Sequence, residues 1–157
     1  MVLLYVIYLK RCFFIGHRET TTDIFPSLLY AIEQHICEYG VTEFYVGNYG
    51  GFDRIAARAV KQLKVKHPQI KLFLVTPYHP ADRSIALPED FDEIFYPMGM
   101  EKTPKRVAIV KANHYMVDYV DYLIAYVWHP GSNSSKLLEY ALKQEQKGKL
   151  TVHSLSR

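Results

Sequence analysis

Short apolar runs alternate along this chain with stretches whose apolar side chains recur every three or four residues. "CFFI" (12–15) is the first run and predicts a strand. Ile24, Leu28, Leu29, Ile32 and Ile36 follow at helical spacing and predict a helix over 24–39, with Asp23 or a preceding Thr as its N-cap and Gly40 as its stop. "EFYV" (43–46) is the next strand, and Ile55, Ala56, Ala59, Val60 and Leu63 mark a second helix. "IKLFLV" (70–75) is continuously apolar, which suits a strand covered on both faces. Three prolines make 76–92 a loop, and "EIFY" (93–96) reads as a short strand. A helix over 104–118 has Val107, Val110, Ala112 and Tyr115 among its apolar members and opens on Pro104. "DYLIAYVW" (121–128), a turn "HPGSNSS", a helix over 135–147 and a last strand "LTVHSL" complete the pattern.

Strands alternating with helices predict an α/β, Rossmann-like three-layer domain with a mostly parallel central sheet. In such sheets ligands bind beyond the carboxyl ends of the strands. The residues at those ends are therefore the candidates. They are Gly16, His17 and Arg18 after the first strand, and Gly47, Gly50, Gly51 and Asp53 after the second. Thr76, Pro77 and Tyr78 follow the third, and Gly131, Ser132, Ser134 and Ser135 follow the late one.

Composition narrows the class. The 157 residues are 49 % hydrophobic and 22 % charged, which suits one globular domain spanning 1–157. The net charge of +3 admits an anionic ligand without arguing for nucleic acid or a membrane. Two cysteines, Cys12 and Cys37, are too few for a disulfide framework and read as buried thiols in a reducing compartment. Residues 1–9 are apolar, but Lys10 and Arg11 end the run far short of the about 20 residues of a membrane span. Residues 1–10 read as an extra strand or a flexible extension, and a cytoplasmic location follows.

The glycine turn "GNYGGFD" (47–53) is the densest signal. A strand, a glycine loop and a helix start together present unpaired backbone amides at a positive helix end, where a phosphate can approach without a Cβ in the way. The serine turn suggests the same service with hydroxyl donors, and Arg18 a bidentate partner for the anion. Asp53 either favours its helix start or accepts a hydrogen bond from a sugar hydroxyl or a base. The histidines at 17, 79 and 129 all follow strands, but with no carboxylate at fixed spacing no metal is assigned, and no cofactor is expected. Tyr119, Tyr122, Tyr126 and Tyr140 point to a self-association face and a homo-oligomer.

The motifs "FFIGHR", "GNYGGFDRIAARAV", "LFLVTPYHP" and "HYMVDYVDYLIAYVWHPGSNSSKLLEYA", in that order, resemble the SLOG superfamily. That group gathers the Rossmann-like domains of DNA-processing protein A and of LOG-type phosphoribohydrolases, and the closest branch looks like its small single-domain bacterial members. The resemblance implies a nucleotide, nucleotide derivative or other phosphate-bearing small molecule at the rim described above. Gly16 and Arg18 match the first motif, Gly50, Gly51 and Asp53 the second. Arg106, Met116, Asp118 and Asp121 match the stretch before the late strand, and Gly131, Ser134 and Ser135 the glycine-rich turn of the superfamily. Asp53, Asp118 and Glu139 are the candidate catalytic carboxylates. Glu139 stands four residues after Ser135, where the hydrolase pattern has three, and one residue turns a helical side chain by about 100°. The expectation is therefore binding or sensing of a nucleotide without efficient catalysis. An N-glycoside hydrolase or transferase is the alternative, and single-stranded DNA binding ranks third because no basic and aromatic stripe stands out.

Overall fold

The computed structural model describes residues 9–81 and 87–155. Among the described residues, six strands and four helices follow one another in the order the pattern predicts. Strand β1 (Arg11–Gly16) leads through a 3-10 turn (Thr22–Ile24) into α1 (Phe25–Cys37). Then come β2 (Glu43–Val46), α2 (Gly51–Lys66), β3 (Lys71–Val75), β4 (Glu93–Phe95), α3 (Lys105–Tyr119), β5 (Tyr122–Tyr126), α4 (Asn133–Gln146) and β6 (Thr151–Ser154). The reading of residues 1–10 falls, for residues 1–8, outside the described residues. Leu9 and Lys10 belong to no strand, and the Lys10 carbonyl accepts from the amides of Thr42 and Glu43.

The sheet is parallel throughout, in the order β4-β3-β2-β1-β5-β6. The chain winds outward from β1 to β4, then returns to lay β5 against the other side of β1. The reversal falls between β1 and β5, and it opens a crevice at their carboxyl ends. One face packs against α1 and α2 through Leu28, Ile32, Phe44, Phe52, Ala56 and Val60. The other packs against α3 and α4 through Phe13, Tyr45, Met116, Leu123, Leu137 and Ala141. Cover on both faces is why the central strands read as unbroken apolar runs.

Three local expectations are corrected. The first helix starts not on Asp23 but after Ile24, with no side-chain cap and Pro26 in its first turn, because Thr22–Ile24 winds more tightly as a 3-10 turn. Helix α3 turns Ala108, Ala112 and Met116 inward, at spacings of four, which leaves Val107 and Val110 exposed off the core-facing side, Val110 at the cavity described below. Cys37, the last residue of α1, is exposed, whereas Cys12 in β1 is buried. The tyrosines expected at a self-association face also make contacts within the chain. Tyr119 stacks on Phe95 and Tyr122 on Tyr39, Tyr126 is buried, and the Tyr140 hydroxyl donates to Asp118.

Candidate functional site

A cavity of about 400 Å³ lies over the carboxyl end of β1, within the range of small-molecule sites. Its floor is the end of β1 up to Gly16. The 47–50 loop closes one side, and Ile109, Val110, Asn113 and His114 of α3 face the first turn of α4 across it. Gly16, His17, Arg18, Gly47, Gly50, Asp53, Ser132 and Ser134 line this one space.

The loop after β1 is held by side-chain to backbone bonds that span most of the chain. The buried His17 ring accepts, at Nε2, the amides of Trp128 (3.1 Å) and His129 (3.2 Å). Two donors on one ring nitrogen require it unprotonated, and burial accordingly lowers the His17 pKa, with the His129 charge adding to the effect and the Glu19 charge opposing it. Trp128 rests edge-on against the same ring, 4.2 Å between centroids. The Ser134 hydroxyl donates to the Gly16 carbonyl at 2.8 Å, which ties the start of α4 to the end of β1.

The glycine turn is built differently from the phosphate cradle its composition suggests. The Gly51 amide donates to the Arg18 carbonyl (3.0 Å) and the Phe52 amide to the His17 carbonyl (3.2 Å). A Cβ on Gly51 would stand 2.6 Å from the Arg18 carbonyl oxygen and 2.8 Å from that of Thr20, and one on Gly50 would stand 2.9 Å from the Arg18 Cα. These glycines admit the neighbouring loop of the chain itself. Gly51 is buried and lies outside the cavity. The Asp53 carboxylate takes the Tyr49 amide (3.1 Å) and lines the cavity, where burial raises its pKa to about 6 against the pull of Tyr49 and Arg54.

The serine turn is also partly spent. Ser132 caps α4, its hydroxyl oxygen accepting the Ser135 amide (3.0 Å) while donating to the His129 carbonyl (2.9 Å). Gly131 has a φ of +76°, which its missing side chain makes easy, and it is exposed outside the cavity, as Ser135 also lies outside it. The first turn of α4 lines the cavity with Asn133, Ser134 and Lys136; Ser132 takes the amides of Ser135 and Lys136, and those of Asn133 and Ser134 have no intrahelical partner.

The other expected residues lie elsewhere. The Thr76 hydroxyl both donates to the Tyr78 carbonyl and accepts the Tyr78 amide, so this turn closes on itself, and Tyr78 packs beside Met100, Ala108 and Ala112. Pro77 is buried. Arg106 is exposed near the start of α3. Asp118 holds the Tyr140 hydroxyl (2.7 Å), and Asp121 holds the Arg11 amide (3.0 Å). Both acids precede β5 and so sit at the amino ends of the strands, opposite the cavity, which removes Asp118 as a catalytic candidate there. Glu139 is exposed on α4 and lines no part of the cavity. The three histidines do not gather. His17 and His129 rings are 6.2 Å apart, while His79 packs against Tyr96, and no group of three metal-ligating side chains occurs among the described residues. The sequence reading missed Tyr49, Asn113, His114, Asn133 and Lys136, which all line the cavity. Lys136, one residue past the serine turn, was the one with a signal, a cation in the first turn of a helix that faces the rim.

No protein-family model matches the chain. It is 29 % identical over 144 residues to the uncharacterized SPbeta prophage-derived protein YoqJ of Bacillus subtilis (strain 168), covering 79 % of this chain and 83 % of that protein. Among solved structures it is similar to the X-ray structure of DNA processing protein A from Streptococcus pneumoniae. That match has a TM-score of 0.68 and 14 % identity, over 95 % of this chain and 51 % of that one. This chain thus spans about half the length of DNA processing protein A. The two share the Rossmann-like fold that the SLOG resemblance implied. Among the described residues no helix is long and apolar enough to cross a membrane.

Proposed function

We propose that the chain binds or senses a nucleotide or nucleotide derivative in the cavity over β1, without efficient catalysis. One observation carries this reading. Arg18, Lys136 and the start of α4 line one small space together with the carboxylates of Glu19 and Asp53, and its α3 wall sets Ile109 and Val110 beside Asn113 and His114. Arg18 and Lys136 line the cavity, and neither has an ion-pair partner among the described residues. Ile109, Val110 and Leu137 offer a planar base an apolar surface, while Arg18, Lys136 and the α4 amides suit a phosphate. Calorimetric titration with 5′-AMP tests it. Saturable binding is expected, weakened about tenfold by Arg18→Ala or Lys136→Ala, since a hydrogen bond to a charged group contributes about 1.5–3 kcal/mol. No heat at millimolar nucleotide overturns it.

Asp53 favours a second reading, the N-glycoside hydrolase or transferase. A carboxyl whose pKa is raised to about 6 in a nucleotide-sized cavity is protonated at pH 7 in a minority of molecules, far more than an ordinary carboxyl, and that form can deliver a proton to a leaving base. Chromatography of a 5′-AMP incubation separates the two. Free adenine, lost in Asp53→Asn, selects the hydrolase. The fold shared with DNA processing protein A is the ground for the third reading, and a single-stranded oligonucleotide in the same titration tests it.

A further inference from the structure

A second cavity, about 320 Å³, adjoins the first, and Gly47 and Asp53 line both. It lies over the carboxyl ends of β2 and β3, against the inner half of α2. Arg54, Arg58 and Lys61 line it at spacings of four and three, so they share one face of the helix. None of the three has an ion-pair partner among the described residues, whereas the next cations along α2 do. Lys64 pairs with Asp92 at 2.5 Å, and Lys66 with Glu33 at 3.3 Å. The outer end of α2 is thus neutralised and the end beside the cavity is not.

Two of the three cations are also held in place. The Arg58 guanidinium lies over the Phe25 ring at 4.3 Å and the Lys61 ammonium over the Phe91 ring at 4.6 Å. Like charges one helical turn apart destabilise a helix slightly, and an anion among them removes that repulsion. Asp53 stands at the junction of the two cavities with its carboxylate anchored by Tyr49. A carboxylate repels phosphate and accepts hydroxyls, so Asp53 separates the cations of the first cavity, which Glu19 also lines, from those of the second.

We propose that the α2 cavity is a second phosphate subsite, which takes a phosphate on a second arm of the ligand held over β1, with a sugar hydroxyl at Asp53 between them. The ligand class is then a nucleoside bisphosphate or a dinucleotide rather than a simple monophosphate. This inference rests on the nucleotide reading of the first cavity.

The test compares 5′-AMP with adenosine 3′,5′-bisphosphate by calorimetry, on the wild-type chain and on Arg54→Gln/Arg58→Gln/Lys61→Gln. Glutamine keeps much of the side-chain length over Phe25 and Phe91, and the circular dichroism spectrum checks that the variant folds. The wild type is expected to bind the bisphosphate about tenfold tighter than AMP. In the triple variant that preference falls below about twofold, with AMP affinity unchanged, whereas Lys143→Gln on α4 keeps it. Equal affinities in the wild type, or a preference that survives the triple substitution, overturn the proposal. If AMP does not bind at all, the reading of the first cavity fails, and inorganic pyrophosphate decides the second separately. Binding abolished in the triple variant supports the subsite, and no binding to the wild type overturns it.

Discussion

Two turns open helices at the same edge of the sheet, and they spend their backbone amides in opposite ways. The turn before α2 carries three glycines, and its leading amides, those of Gly51 and Phe52, are consumed by carbonyls of the neighbouring loop. The turn before α4 carries three serines, is capped by one of them, and sets the first turn of the helix, with two amides that have no intrahelical partner, along the cavity. Glycine density therefore marks close packing of chain on chain here, and the helix that remains open to an anion is the one with the weaker glycine signal. The space around the two glycines separates the two cases. A Cβ would meet carbonyl oxygens within 2.8 Å at Gly51 and nothing within 4 Å at Gly131.

The largest effect that sharpens this contrast is expected at Gly51. Gly51→Ala forces a methyl against two carbonyl oxygens that belong to backbone, so neither can swing aside. Overpacking of this kind costs about 3 kcal/mol or more. Gly131→Ala meets no neighbour and is charged only for its left-handed backbone, about 1–2 kcal/mol. Urea denaturation of the two variants should order them so. Equal losses would mean that the Gly51 loop gives way and that the two turns are not so different.

Asp53 is the next lever, because it belongs to the glycine turn alone. Its folded pKa of about 6 lies above the ordinary 3.8. Between those values the unfolded chain loses the proton and the folded chain keeps it, so stability falls as pH rises through about 4 to 6 and stays reduced above. By linkage the full difference is about 3 kcal/mol. Asp53→Asn keeps an acceptor for the Tyr49 amide and removes the ionisation. It should stabilise the chain by about 2–3 kcal/mol at pH 7.5 and by little at pH 4, read from urea midpoints at each pH.

His17 ties the two turns together, and its effect has the opposite sign in pH. His17→Ala leaves the Trp128 and His129 amides without their acceptor, a cost of about 2 kcal/mol at pH 7.5. The folded pKa is lowered below 6.5, chiefly by burial. The histidine's contribution is therefore complete above about 6.5 and drains away as pH falls through the folded value. The gap between wild type and variant should narrow on acidification, and a gap that stays constant would show that the ring does not titrate with the loop.

This histidine also shows where the sequence stops being legible. Strands were readable because cover on both faces makes them unbroken apolar runs, as at 12–15, 43–46 and 70–75. The late run continues apolar to Trp128, but β5 ends at Tyr126, since the Trp128 amide turns to a side chain 111 residues earlier instead of to a neighbouring strand. A bond of that span leaves no local mark. The rim after β1 could be placed from the strand ends alone. The α3 wall with Val110, Asn113 and His114 could not, because Val107 and Val110 stand off the core-facing side and blur the apolar stripe that would have oriented the helix. Thr76–Tyr78 looked like rim by position and is instead a turn closed on its own hydroxyl.

The smallest effect is expected at the cap of the open turn. The Ser132 hydroxyl accepts the Ser135 amide and donates to the His129 carbonyl, on a residue that is half-buried. Ser132→Ala removes both bonds, but water reaches this edge and replaces part of each, so the loss is that of an ordinary N-cap, about 1 kcal/mol. Ser132→Asp supplies an acceptor again and adds a negative charge at the positive end of α4, which restores stability by about the same amount. The two variants should then part company on ligand. In 5′-AMP titrations Ser132→Ala leaves the helix end positive and keeps binding close to wild type, whereas the aspartate repels a phosphate at the same amides and weakens it about tenfold. A stable aspartate variant that binds as tightly as wild type would place the anion away from α4, and the serine turn would then be as closed to ligand as the glycine turn.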